Sequence, residues 1–132
     1  MQSTAEHILV VDDDDDIRQL VVTLLKRKGY IVKGLPDIDI QTITDTPCLF
    51  VLDVLLSGKN GKDICRALKQ KESTKNIPVV MMSALTDARK ECIAAGASDF
   101  IAKPFNINEF ATCIQHVLEH SSPVAKTNLN HI

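Results

Sequence analysis

Ile8-Leu9-Val10-Val11-Asp12-Asp13 is an unbroken apolar run, rich in β-branched residues, that closes on two carboxylates. A run with no polar residue at alternate positions is the pattern of a strand covered on both faces, the situation of strands in parallel sheets. The pattern returns at Tyr30-Ile31-Val32, Cys48-Leu49-Phe50-Val51-Leu52, Pro78-Val79-Val80-Met81-Met82 and Phe100-Ile101-Ala102. Helical patterns fill most of the gaps. Over 15–28, Ile17, Leu20, Val21, Leu24 and Leu25 recur at helical spacing. Asp15 and Asp16 suit the positive end of that helix, Lys26, Arg27 and Lys28 suit the other, and Gly29 stops it. After the turn Ser57-Gly58-Lys59-Asn60-Gly61, residues 62–71 turn Ile64, Cys65 and Leu68 inward. Thr86-Asp87 can cap a helix that runs to Ala95 and ends at Gly96. Asn106 caps a last helix whose inward face is Ile107, Phe110, Ile114, Val117 and Leu118. The stretch 33–47 makes a poor helix, with Pro36, Pro47 and the alternation Asp37-Ile38-Asp39-Ile40. Five strands, each followed by a helix or helix-like stretch, predict an α/β fold: a five-stranded parallel sheet with helices on both faces.

The chain has 132 residues, enough for one domain that buries roughly two-thirds of its unfolded surface. We place that domain at 7–120, with a flexible polar tail over 121–132 and a short polar leader before it. A net charge of −2 provides no broad field for nucleic acid or an anionic membrane. No apolar run approaches the ~18 residues of a membrane span, and no signal peptide is read. Cys48, Cys65, Cys92 and Cys113 are far apart, each inside an apolar pattern and none in a CxxC pair. Reduced thiols of a cytoplasmic protein are expected, rather than a zinc site.

In open α/β sheets the site lies at the carboxyl ends of the strands. Asp12, Asp13, Asp53, Ser83 and Lys103 each end a strand or directly follow one. Three carboxylates near one point do not all ionise comfortably unless a cation joins them. Mg²⁺ takes oxygen ligands and binds well through carboxylates together with a phosphate. Asp53 can then serve as a nucleophile toward phosphorus. Lys103 and the metal would neutralise charge on the phosphoryl oxygens, and Ser83 offers a hydroxyl to one of them.

Four motifs, in order, resemble the receiver domain of two-component response regulators. Ile8-Leu9-Val10-Val11-Asp12-Asp13-Asp14 resembles that family's acidic first-strand motif, and Phe50-Val51-Leu52-Asp53-Val54-Leu55-Leu56 its phosphoacceptor strand. Val80-Met81-Met82-Ser83-Ala84 resembles its Ser/Thr-Ala motif. The stretch from Ala95 through Lys103-Pro104-Phe105 resembles its fifth-strand motif. The resemblance covers about residues 7–120. It implies a flavodoxin-like sheet of strand order 2-1-3-4-5 and phosphorylation of Asp53 by a sensor histidine kinase or histidine phosphotransfer protein. It also implies Asp13 as a direct Mg²⁺ ligand, Asp12 as a ligand through water, and the Leu55 carbonyl as the protein's remaining ligand. Ser83 and Phe100 would be the coupled switch pair, and the bond to Pro104 is expected to be cis. The module would switch a partner-binding face without being an enzyme, beyond catalysing its own phosphorylation and dephosphorylation.

That face is expected at the helix after Ser83, the fifth strand and the last helix. In many transcriptional relatives the same face dimerises, using a basic residue of the last helix. Residues 108–120 here contain no Lys or Arg, so a monomer with a heterologous partner is expected, without direct contact to nucleic acid or membrane. Two leucines, Leu55 and Leu85, hold the positions that help or hinder the attacking water in the family, which implies a comparatively long-lived phosphorylated form. Ser57 stands where the family usually has Pro, and the stretch 30–53 is shorter than usual, so a truncated or irregular second helix is expected.

Two other classes share parts of this pattern. An aspartate-nucleophile phosphatase of the haloacid dehalogenase type would have an acid/base Asp two residues after the nucleophile; here that residue is Leu55. A flavodoxin-like FMN protein would cradle phosphate in its first loop, where this chain has five aspartates in a row. The twelve positions after 120 are too few for a DNA-binding unit, which leaves a stand-alone receiver or a piece of a longer protein.

Overall fold

A computed structural model describes residues 7–56, 58–85 and 88–121, without the side chain of Ser121. The elements in chain order are β1 (His7–Val11), α1 (Asp15–Arg27), β2 (Ile31–Leu35), β3 (Leu49–Asp53), β4 (Leu55–Leu56), β5 (Lys59–Asn60), α2 (Gly61–Gln70), β6 (Val79–Ser83), α3 (Ala88–Ala94), β7 (Asp99–Ala102) and α4 (Ile107–Ser121). Five strands form one parallel sheet in the order β2-β1-β3-β6-β7. Counting long strands alone, this is the expected 2-1-3-4-5 order. Leu55–Leu56 and Lys59–Asn60 pair separately as a small antiparallel ladder just after Asp53.

The unbroken apolar runs are explained by two cores, one on each face of the sheet. Leu9, Val11, Phe50, Leu52 and Met81 alternate onto one face and meet Ile64, Cys65 and Leu68 of α2 and Ala88 and Cys92 of α3. Ile8, Val10, Leu49, Val51, Val80 and Met82 alternate onto the other and meet Val21 and Leu25 of α1 and Phe110, Ile114 and Val117 of α4. Every residue of β3 and β6 is buried, so neither strand shows the polar alternation of a half-exposed one.

Local signals set the helix ends. Asp14 caps α1 by accepting from the backbone N–H of Asp16 (2.9 Å) and Ile17 (3.1 Å). Gly29, at φ 100°, lets the chain leave α1 in the left-handed region and turn into β2. Asn106 caps α4 by accepting from Asn108 N–H at 2.8 Å.

Several expectations change. No helix lies between β2 and β3, so the expected second helix is absent rather than shortened. Ile38 is buried there, and Ile40 and Ile43 pack on the α2 side of the sheet, so isolated isoleucines take over a helix's covering role. The second strand is longer than its apolar run because it pairs with β1 as far as Val11 and Leu35. Ile107, expected on the inward face of the last helix, is 51% exposed, and Leu20 of α1 is 45% exposed. Leu20 sits one residue from the buried stripe of Val21 and Leu25, and Ile107 opens the first turn of α4. The expected cap Thr86-Asp87, the loop residue Ser57, the leader and the tail beyond 121 lie outside the described residues.

Candidate functional site

The parallel sheet brings the predicted polar residues to one edge. Asp12 follows β1, Asp53 ends β3, Ser83 ends β6 and Lys103 follows β7. Asp12 is fully buried, Asp53 nearly so, and Asp13 is more open. Oxygen atoms of Asp12, Asp13 and Asp53 lie within 4.8 Å of one another. The Lys103 ammonium spans two of these groups, its Nζ standing 3.3 Å from Asp12 Oδ2 and 3.3 Å from Asp53 Oδ2.

Several contacts hold this arrangement. Asp12 N–H donates to Leu35 O (3.1 Å), and Asp12 Oδ1 accepts from Asp14 N–H (3.0 Å). Arg18 of α1 donates to the Asp12 carbonyl at 2.8 Å and to Asp15 Oδ1 at 2.6 Å. Lys103 N–H donates to Ser83 O at 2.8 Å, joining the ends of β6 and β7, and the Lys103–Pro104 bond is cis. Burial pushes the Asp53 carboxyl above the ordinary range; Lys103 opposes this, Asp12 adds to it, and a Leu55 backbone hydrogen bond pulls it down.

Of the remaining residues, Leu55 and Asp13 border one open cleft of about 490 Å³. Ser83 Oγ accepts from Leu85 N–H at 2.9 Å. Phe100 lies in β7 opposite Met81, and Ser83 lies opposite Ala102, so strand alternation puts Ser83 and Phe100 on the same sheet face. Phe100 is buried on the side covered by α2 and α3, away from the carboxylates. Leu55 (59% exposed) and Leu85 (52%) both face solvent.

Two supporting residues were not singled out from the sequence. Arg18 had a legible signal in its spacing from Asp15, which places the two on one helix face. Gly61 had none beyond being a turn glycine: a Cβ there would stand 2.2 Å from Asp53 O.

The response regulator receiver domain family matches residues 8–115. The chain belongs to that family. The phosphate regulon transcriptional regulatory protein PhoB of Klebsiella pneumoniae is 35% identical over 126 residues, covering 92% of this chain and 55% of PhoB. The DNA-binding response regulator MtrA of Mycobacterium bovis is 32% identical over 121 residues, covering 87% of this chain and 51% of MtrA. The chain thus spans about half the length of these curated relatives. The crystal structure of the receiver domain of NtrX from Brucella abortus superposes with a TM-score of 0.76 at 34% identity, over 85% of this chain and 98% of that one.

Receivers of this family are phosphorylation-controlled signalling modules of two-component systems. The matches give no support to the phosphatase alternative. MtrA is named as DNA-binding, which limits the expectation of no nucleic-acid contact to the receiver itself. Among the described residues no helix is long and apolar enough to cross a membrane.

Proposed function

We propose that Asp53 is the phosphoacceptor, and that Asp12, Asp13, Asp53 and the Leu55 carbonyl hold Mg²⁺ beside it. The observation that carries this reading is the Lys103 ammonium 3.3 Å from the carboxylates of both Asp12 and Asp53. The donor set fits the metal. It consists of hard oxygens only, its three carboxylates clustered within 4.8 Å, with the Lys103 ammonium between Asp12 and Asp53. Mg²⁺, when bound, would neutralise phosphoryl charge and let the carboxylates ionise side by side.

An Asp53 oxygen attacks phosphorus of a phosphohistidine, presented by a histidine kinase or a phosphotransfer protein. The P–N bond breaks, and its electron pair returns to the donor's imidazole. Lys103 is placed to meet a phosphoryl oxygen on the acceptor's flank. Ser83 Oγ accepts a hydrogen bond from Leu85 N–H, so its own hydroxyl hydrogen is available to donate to another. The domain thereby catalyses its own phosphorylation and, with water, its own dephosphorylation. Movement of Ser83 toward the phosphoryl group frees space on the face it shares with Phe100, and a repacked Phe100 alters the surface of α3, β7 and α4 for a downstream protein.

Incubation of the protein with acetyl phosphate and Mg²⁺, read by intact mass spectrometry, should give a single phosphoryl adduct. The adduct should require Mg²⁺ and disappear in Asp53→Asn; equal yield in that variant would sink the assignment. Leu55 and Leu85 border the site without a group that can activate water. Leu85→Glu should therefore change the rate at which the adduct is lost, and an unchanged lifetime would remove Leu85 from the account.

A further inference from the structure

On the solvent face of α4, His116 and His120 lie four residues apart, so they share one side of the helix on successive turns. Their rings are 4.1 Å apart between centres and tilted by 33°. Both residues are exposed. His120 Nδ1 lies 2.8 Å from the His116 carbonyl oxygen. A carbonyl oxygen has no hydrogen to give, so Nδ1 must be the donor. In the neutral ring that leaves the Nε2 lone pair bare and aimed away from the backbone. Ring orientation by a carbonyl on the far nitrogen is the usual support of a metal-bound imidazole.

We propose that His116 and His120 form a two-imidazole chelate for a borderline divalent transition metal, with zinc as its probe. Histidines four residues apart on one helix face are a known arrangement for zinc. Two imidazoles bound through Nε2 at ~2.05 Å to a tetrahedral ion hold their ring centres about 5 Å apart, so these rings, 4.1 Å apart, must swing apart by about 1 Å on their side-chain torsions to take the ion. Local charge favours a cation. From 108 to 120 the helix carries Glu109 and Glu119 and no Lys or Arg, and its carbonyl end lies at His120. Two protein ligands leave the other positions of the ion to water, as in an open site. Imidazole nitrogens suit zinc, copper or nickel and suit Mg²⁺ poorly, so this site and the acidic cluster select different ions. Cys113, one turn earlier, stays outside the chelate: its Sγ is 3.3 Å from Asp99 Oδ2, and burial pushes the thiol up to about 12.

Zinc titration of the full chain by calorimetry, in excess Mg²⁺ so that the acidic cluster does not report, tests this. We expect one saturable zinc per chain, weakened about tenfold or more in His116→Gln and in His120→Gln through loss of one of two ligands. Cys113→Ser should bind as the unaltered protein does. Because both histidines are exposed, the Gln variants should keep the fold, which zinc-free melting curves check. No saturable binding by the unaltered protein, undiminished zinc heat in both histidine variants, or loss confined to Cys113→Ser would overturn the proposal.

Discussion

Asp53 shows at the scale of one residue what it costs a fold to bury a carboxylate beside another. Its carboxyl is buried, its proton is held more firmly folded than unfolded, and the fully buried Asp12 adds to the effect. A carboxyl whose folded pKa is raised weakens the fold once it ionises, and that cost disappears as pH falls through the folded pKa. Asp53→Asn removes the charge while leaving Lys103 its contact with Asp12. In Mg²⁺-free buffer at neutral pH the variant should therefore melt higher, by roughly 2–5 °C if ~1 kcal/mol of repulsion is relieved. The gap should narrow as the buffer is made acidic; a variant that melts lower at neutral pH would contradict this account. The convergence of these side chains was legible because strands of a parallel sheet deliver their carboxyl ends to one edge, whatever the loops do. For Arg18 only the spacing from Asp15 was legible, not its contact with the site. Its partner is the backbone carbonyl of Asp12, and a carbonyl leaves no mark in a residue pattern.

Among the elements, the least legible was the join between Asp53 and α2. The sequence shows a glycine-rich turn, whereas the structure places a short ladder, β4 with β5, between β3 and α2. Gly61 opens α2 pressed against the end of β3, its N–H donating to Val54 O at 2.6 Å. A Cβ at that position would lie 2.2 Å from Asp53 O and 3.0 Å from Val54 Cα, both backbone atoms that cannot rotate aside. Gly61→Ala should cost about 1–3 kcal/mol, the usual range for overpacking, and should slow phosphorylation by shifting the Asp53 backbone. Denaturant unfolding together with the rate of adduct formation checks both, and unaltered values for the pair would refute the close approach. The segment between β2 and β3 was legible as a poor helix from its prolines, but not in what anchors it. Lys59 donates to Asp37 (2.8 Å) and to the Ile38 carbonyl (3.4 Å), and Asp45 pairs with His7 (3.1 Å) and Lys33 (3.3 Å). Such contacts join residues 12 to 38 positions apart, which periodicity does not report.

For the whole molecule, the parallel sheet followed from the alternation of apolar runs and helical patterns, each long run becoming a strand, while the order of the strands came only from the family resemblance. What the molecule does with its outer face depends on charges that the fold leaves open. The α3, β7 and α4 face holds an internal ion pair, Arg89 to Asp99 at 3.1 Å, and Arg89 also donates to the Phe100 carbonyl at 3.2 Å. A twofold dimer applies one patch to itself, so every acidic group must find a basic one on that same patch. Helix α4 offers none between 108 and 120, and Arg89 and Asp99 are already engaged with each other. Pairing through Arg89 and Asp99 across a dimer would require that contact to be given up for an equivalent one, with nothing gained in charge and an ordering cost added, which leaves Lys90 of α3 as the further basic group on this face. The phosphorylated protein, free of transition metals, should therefore remain a monomer at low micromolar concentration, its face left to a heterologous partner. Sedimentation velocity with and without phosphodonor tests this directly: a single slow boundary in both states is expected. A dimer boundary that appears with phosphorylation and vanishes in Arg89→Ala would show that the ion pair opens to serve self-association instead.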